Sequence, residues 1–249
     1  MNRQTVRALN EVNRRFYEEH ADAFATTRHA PWGGWEGLLE PLRRGLPASI
    51  RVLDAGCGNG RFGDFLAGRW PGEIHYRGID ASGALLEIAA ARLTGKVDLD
   101  LRLEDFIEGS QAPPPEGEGF DLAVAFGVLH HLPGREQRFR LLQGLARQLA
   151  SGGFLVCSIW LYGRDERFRR RLLDWRALPP DLGPIEVSEL EEGDHLLRWG
   201  DAPGTFRYCH AVSDAEEQEW LEGLALDLVE RYEADGRSGH LNRYLILRK

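Results

Sequence analysis

The chain has 249 residues, 43% of them hydrophobic and 28% charged, enough for one large α/β domain whose core needs neither disulfide nor structural metal. Its formal net charge of −8 argues against a surface coated in nucleic acid, although clustered arginine can still make a local basic patch. The three cysteines, Cys57, Cys157 and Cys209, show no metal-ligand spacing, the first residues lack a signal-peptide core, and no apolar run reaches the roughly 18 residues of a membrane span; a reduced, cytoplasmic protein without metal or membrane is the simplest reading.

Residues 4–25 repeat apolar side chains at helical spacing through Val6, Leu9, Val12, Phe16 and Phe24, and a second amphipathic piece runs over 35–42 before a break near Pro47. Residues 1–45 are therefore expected to form a helical lid on a main domain spanning 46–249. That domain opens with a strand at 50–54 ending in an acid, a Gly-rich turn and a helix at 62–70. Then come a strand at 74–80, a helix at 82–93 that Ser82 can cap, and a strand at 97–103 with one polar face. A surface loop around Pro113–Pro115 precedes a strand at 120–126, a helix at 136–149 and a fifth strand at 154–159. This alternation implies a mostly parallel sheet covered on both faces. Residues 160–205 break the rhythm and read as a charged, irregular cap inserted after the fifth strand. A helix at 214–224 and strands at 226–232 and 241–247 complete the chain, the last two as an antiparallel hairpin at the sheet edge.

The sharpest local signal is Asp54-Ala55-Gly56-Cys57-Gly58-Asn59-Gly60. Gly56 and Gly58 permit a tight turn and close backbone approach to a ligand at the carboxyl ends of the strands. The spacing is wrong for a dinucleotide fingerprint, since Arg61 takes the third glycine's place, and no Lys-Ser/Thr follows to make a P-loop. An acid directly before the glycines would repel a pyrophosphate but suits an ammonium group. Asp80 ends the second strand, where a carboxylate can accept both ribose hydroxyls. Asp105 follows the third strand and can accept an adenine amine, with Phe106 or Ile107 flanking the ring.

The ordered set VLDAGCGNG, YRGID, LEDF, FDLAVAFGVLHHL and LASGGFL resembles the class I S-adenosylmethionine-dependent methyltransferase superfamily over residues 50–159. The resemblance implies a Rossmann-like fold with a seven-stranded sheet, and S-adenosylmethionine as cofactor with S-adenosylhomocysteine as product. It places cofactor roles on Asp54, Gly56, Gly58, Asp80 and Asp105, with Cys57, Ala81 and Phe106 beside them and Val128, Leu129 and His130 lining the pocket. A closer similarity, to the eukaryotic tRNA wobble-uridine methyltransferases that esterify a carboxymethyl group, is carried by YEEHADAFATTRHAPW at 17–32, GVLHHLPGREQR, the tryptophan of CSIW, RYCHAV and NRYLILRK. Residues 163–205 depart from that family's basic insertion.

Methyl transfer needs alignment more than a covalent residue. A carboxylate acceptor needs no base; for an amine or hydroxyl, His131 at the cleft mouth is the candidate, with a structural loop histidine as the alternative. Tyr17 is expected to cover the methionine end of the cofactor, and Arg28 to meet a carboxylate of cofactor or acceptor. Arg207, with Tyr208 and His210, forms a second polar group on the acceptor side or an ordinary edge strand. The arginines of 164–176 face a phosphate or merely their neighbouring acids, and Trp160 and Tyr162 stack on a base or pin the cap. Composition favours a small-molecule or carboxylate acceptor; a tRNA wobble uridine and a non-catalytic cofactor-binding partner protein are the alternatives, and the oligomeric state is left open.

Overall fold

The structure, a computed structural model, describes residues 1–108, 119–178, 185–200 and 204–249; the proline loop expected at 113–115 lies outside them. The chain begins with helix α1 (Arg3–Thr26), capped by the Asn2 side chain on the Thr5 N–H and kinked at His20. A 3₁₀ turn leads into the short helix α2 (Leu39–Gly45). There follow β1 (Ile50–Ala55), α3 (Arg61–Ala67), β2 (Ile74–Asp80), α4 (Gly83–Leu93), β3 (Asp98–Leu103), β4 (Phe120–Ala125), α5 (Arg135–Gln148) and β5 (Leu149–Trp160). The chain then forms α6 (Glu166–Arg169), β6 (Leu172–Leu173), β7 (Asp194–Arg198), β8 (Phe206–His210), α7 (Asp214–Gly223), β9 (Asp227–Ala234) and β10 (Asn242–Arg248).

Seven strands make one sheet in the order β3-β2-β1-β4-β5-β10-β9. The first five are parallel, while β10 runs antiparallel between β5 and β9, the expected terminal hairpin. This is the Rossmann-like class I methyltransferase fold. Side chains of β1 alternate between two cores. Ile50 and Val52 pack with Trp35, Leu42, Phe62 and Leu66, whereas Leu53 and Ala55 pack with Leu142, Leu145 and Trp220. Such burial on both faces is what a central parallel strand requires. Because β1 and β4 are neighbours whose connections leave in opposite directions, a crevice opens at their carboxyl ends.

The insertion after β5 is more regular than its sequence suggests. It carries a second, antiparallel sheet, β6-β7-β8, with Leu172 opposite Leu197 and Leu197 opposite Arg207. Its shortest strand has two residues, too few to show a period of two in the sequence. This sheet and α1 close over the crevice together, because Leu9 and Val12 of α1 pack on Tyr208.

Candidate active site

The crevice is a cleft of about 1140 Å³, larger than the ~300–1,000 Å³ of an ordinary ligand pocket and so roomy enough for two reactants. Gly56, Gly58, Asp80, Asp105, Tyr17, Arg28, His131 and Arg207 all line it. Its two ends differ in kind.

One end is made where β1, β2 and β3 finish. The Gly56 and Cys57 N–H groups both donate to the Ile79 carbonyl (2.8 and 3.0 Å), folding the loop back over β2. Gly56 has φ +75°, and a Cβ there would lie 2.7 Å from the Val128 Cβ, so only glycine fits. Asp80 accepts the Gly58 N–H on one oxygen (2.8 Å) and the Ser82 N–H on the other (2.9 Å). Each oxygen keeps a lone pair for a ligand hydroxyl. Asp54 is buried and accepts the Tyr76 hydroxyl; burial pushes its pKa up to about 7, and the carboxylate of Asp80 adds to the rise. A buried acid of this kind fits a group that brings its own positive charge. Asp105 is more engaged than its sequence position suggests. One oxygen caps the Ile107 and Glu108 N–H groups (2.8 and 3.3 Å), and the other accepts the Asn10 amide of α1 (2.8 Å). Ala81, Phe106, Val128 and His130 line the cleft, and Cys57 is buried with its thiol held protonated by desolvation.

The other end is assembled from distant segments. The Tyr17 hydroxyl lies 2.7 Å from His131 Nε2, and His131 Nδ1 lies 3.0 Å from the Tyr208 carbonyl. A carbonyl only accepts, so Nδ1 carries the proton and Nε2 accepts from Tyr17. Burial first, and then the charge of Arg207, hold His131 neutral. With both ring nitrogens engaged, His131 orients Tyr17 and offers no lone pair to an acceptor proton. Arg207 Nη1 donates to the same Tyr17 oxygen (3.1 Å), and its guanidinium lies over the rings of Phe16 and Trp160. Arg207 is only 4% exposed, and its Nε–H has no partner. Arg28 lies over Phe24 (4.4 Å) and donates to Thr27; burial and the charge of Arg207 depress its pKa. Among the described residues, neither arginine has a carboxylate partner. A buried guanidinium and a half-buried one that repel one another, with no carboxylate partner among the described residues, make a local field that favours an anion.

His130, His131 and Cys209 also bring three metal-capable atoms within 4.8 Å. Arg207 stands beside this group; burial first, and then neighbouring positive charge including that of Arg207, depress both imidazoles, and the Cys209 thiol is pushed up to about 11 by burial. The local field there attracts anions rather than cations. Trp160 packs on His130, Tyr162 and Phe168, and the buried Tyr162 hydroxyl donates to the Cys209 carbonyl (3.1 Å), so this pair pins the second sheet.

Sequence reasoning missed Asn13, which joins three segments by donating to the His131 carbonyl (3.0 Å) and accepting the Tyr208 N–H (2.9 Å). It also missed Asn59, whose amide donates to the Arg28 carbonyl (3.2 Å) and ties the Gly-rich loop to the arginine. Asn13 lies on the apolar face of α1, four residues after Leu9 and three before Phe16, so a polar residue at a buried position was the signal that could have found it. Asn59 stood between two glycines of the motif and was readable.

The methyltransferase-domain family matches residues 53–155. The chain is 30% identical over 201 residues to a mouse protein named probable tRNA methyltransferase 9B, covering 78% of this chain and 40% of that one. It is 29% identical over 166 residues to a tRNA (carboxymethyluridine(34)-5-O)-methyltransferase of Arabidopsis thaliana, covering 65% and 37%. A putative methyltransferase of Encephalitozoon cuniculi is 29% identical over 196 residues, covering 79% and 78%. The chain thus spans less than half the length of the mouse and Arabidopsis relatives. Among solved structures, a SAM-dependent methyltransferase of Methanosarcina mazei superposes with TM-score 0.62 at 22% identity, covering 84% of this chain and 96% of that one. One from Clostridium acetobutylicum gives 0.64 at 12%, covering 93% and 98%. These two share the fold. With the glycine loop, the strand-end acids and the sheet order in place, the chain belongs to the class I S-adenosylmethionine-dependent methyltransferase superfamily.

Proposed function

We propose that this chain methylates a carboxylate oxygen, and that the carboxylate is a carboxymethyl group on a wobble uridine of tRNA. S-adenosylmethionine, when bound, supplies an electrophilic methyl on sulfur; the Gly56–Gly58 loop, Asp54, Asp80 and Asp105 are the residues that would hold it. The observation that carries the reading is the buried Arg207 and the half-buried Arg28, both lining the cleft, with no carboxylate partner among the described residues and with the Tyr17 hydroxyl beside Arg207. A carboxylate there gains charge-assisted hydrogen bonds from donors already fixed in place. It is nucleophilic without losing a proton, which agrees with a site whose neutral His131 has both nitrogens occupied.

The tRNA part of the reading rests on what the mouse and Arabidopsis relatives are named for. Composition alone favours a small acceptor, and the net charge of −8 keeps a free carboxylic acid as the second reading. A methyl-donor assay against bulk undermodified tRNA and against a small-molecule extract separates them, with the product located by mass. Label in an alkali-labile ester on tRNA is the expected result, abolished in Arg28→Ala. Label in a neutral, apolar product at a rate indifferent to Arg28→Ala would overturn the carboxylate assignment, and label only in free acids would overturn the tRNA assignment.

A further inference from the structure

We propose that Arg171 and Arg198, at the mouth of the cleft, form a phosphate-positioning pair that grips the RNA backbone next to the methyl-accepting nucleotide. The inference rests on the reading of an RNA-borne acceptor and adds residues that the carboxylate site does not use.

The arginines of this region are not equivalent. Arg169 and Arg170 bridge to Glu166 (2.5 and 3.0 Å), Arg176 to Asp174 (2.7 Å), and Arg164 to Glu233 (3.1 Å). These are ordinary solvated pairs of the kind that contribute little. Arg171 and Arg198 stand apart. Both line the cleft, and among the described residues neither has an acidic partner. They are also forced together. Leu172 pairs with Leu197 across β6 and β7, and one residue further out the Arg198 N–H donates to the Arg171 carbonyl (2.9 Å). Like charges facing one another across antiparallel strands destabilise a sheet. The neighbouring arginines Arg164, Arg167, Arg169, Arg170 and Arg176 each have a carboxylate, whereas this pair has none among the described residues, and an anion bound between them would relieve the repulsion.

The neighbouring groups indicate which anion. Trp199 follows Arg198, lines the cleft, and lies nearly parallel to the His20 ring (26°, 5.7 Å). Phe168 lines the same mouth with Arg167 over its ring (4.4 Å). Paired guanidinium groups next to aromatic faces are the arrangement that holds single-stranded nucleic acid, phosphate on arginine and base on ring. Of the acids that line the cleft, Asp54, Asp80 and Asp105 lie at or just after the tips of β1 to β3, while Glu18 of α1 and Asp235 after β9 line it too. A chain entering past Arg171 and Arg198 would meet this positive pair before the Arg28–Arg207 site.

The test uses the full chain with two probes: a fluorescein-labelled RNA stem-loop bearing a carboxymethyluridine, and the free carboxymethyluridine nucleoside. In Arg171→Gln/Arg198→Gln, the Kd and KM for the stem-loop are expected to rise about 10–100-fold with kcat nearly unchanged. The slope of log Kd against log salt should flatten by about 0.7 per lost phosphate contact. The kcat/KM for the nucleoside should stay within twofold of the parent, since it has no phosphate to lose. Arg171→Lys/Arg198→Lys should recover the salt slope. Unchanged stem-loop Kd and salt slope, with the parent methylating the stem-loop, would overturn this proposal and leave the carboxylate reading intact. Methylation of the nucleoside but not of the stem-loop by the parent would overturn the RNA reading, and this pair with it.

Discussion

The two ends of the cleft are built by opposite strategies. The cofactor end comes from consecutive strand tips between residues 54 and 105, and backbone groups fix it: Gly58 and Ser82 N–H on Asp80, Gly56 and Cys57 N–H on the Ile79 carbonyl. The acceptor end joins Tyr17, His131 and Arg207, separated in sequence by 114 and 190 residues within its hydrogen bonds, and side chains fix it. Where the backbone holds a site, the fold constrains its residues. Where side chains from α1, the loop after β4 and the second sheet hold it, each can change without disturbing the sheet. One end is thus suited to an invariant ligand and the other to a variable one.

The sharpest way to break this comparison is to damage each end and look for crossover. Arg207→Ala removes a buried charge and the N–H that the Tyr17 hydroxyl accepts, leaving Tyr17 held by His131 alone. The acceptor kcat/KM should fall about 10²–10³-fold, equivalent to some 3–4 kcal/mol, with the cofactor Kd changed less than threefold. Asp80→Ala should do the reverse and less severely. Loss of its acceptor bonds should raise the Kd for S-adenosylhomocysteine about 30–100-fold by calorimetry, with the acceptor KM at saturating cofactor little altered. If Arg207→Ala weakens the cofactor as much as it weakens the acceptor, the two ends are one site and the division fails.

The same division explains what was legible in the sequence. The cofactor end was readable because a glycine loop must be local: Gly56 and Gly58 need positive φ within three residues of one another, and Asp54 and Asp80 sit at strand ends that periodicity alone locates. The element order over 50–159 followed for the same reason. The acceptor end was legible only as isolated residues. Nothing in the spacing of Tyr17, Arg28, His131 and Arg207 places them together, and the engagement of both His131 nitrogens depends on the Tyr208 carbonyl, which no side-chain pattern encodes. Asp105 was assigned by analogy with its neighbours at the strand ends; its bond to Asn10 requires knowing that α1 packs beside α4 and brings Asn10 to the loop after β3. The second sheet was missed because β6 is two residues long and β7 and β8 have only five each, too few for a clear alternation to build up.

A smaller effect probes the cofactor end through pH. Asp54 titrates near 7 in the free protein, raised by burial, and must be ionised to meet an ammonium group. Below pH 7, binding has to expel a proton, so affinity for S-adenosylhomocysteine should fall by up to tenfold per pH unit between 7 and 5. Above about pH 8 the ligand's own α-amino group begins to lose its charge, which closes the window from the other side. Asp54→Asn should bind more weakly at pH 7 and lose the dependence below it. A parent protein whose affinity is flat from pH 5 to 7 would show that Asp54 does not carry the contact.

The smallest expected effect concerns the support behind the acceptor end. On β8, Arg207 and Cys209 face the cleft side while Tyr208 and His210 reach into a buried network on the opposite side. His210 Nδ1 meets Asp194 (2.7 Å) and Nε2 meets Glu216 (2.9 Å). Arg138 bridges Glu216 and Glu191 (2.6 Å each), and Tyr208 donates to Asp194 (2.7 Å). Two carboxylate partners require His210 to carry both protons. Burial opposes that charge, but the hydrogen bonds to Asp194 and Glu216 outweigh it and raise the His210 pKa above its ordinary value. A base whose pKa is raised by folding stabilises the fold fully below its unfolded pKa of about 6.5, and the stabilisation is lost as pH rises through the folded value. Asp54 also loses stability as pH rises, over a window from about 4 to 7, so the parent alone cannot isolate His210. The comparison with His210→Gln can, because the Asp54 contribution is common to both and cancels. At pH 6 the variant should melt lower by about 3–6 °C, corresponding to ~1–2 kcal/mol for a domain of this size, and the gap should narrow steadily toward pH 9. Acceptor KM should follow the same course, because loosening His210 loosens the strand that carries Arg207, while cofactor Kd should not. A melting gap that is independent of pH would mean that His210 is neutral and merely fills space, and the strand behind the acceptor end would then owe its position to packing rather than charge.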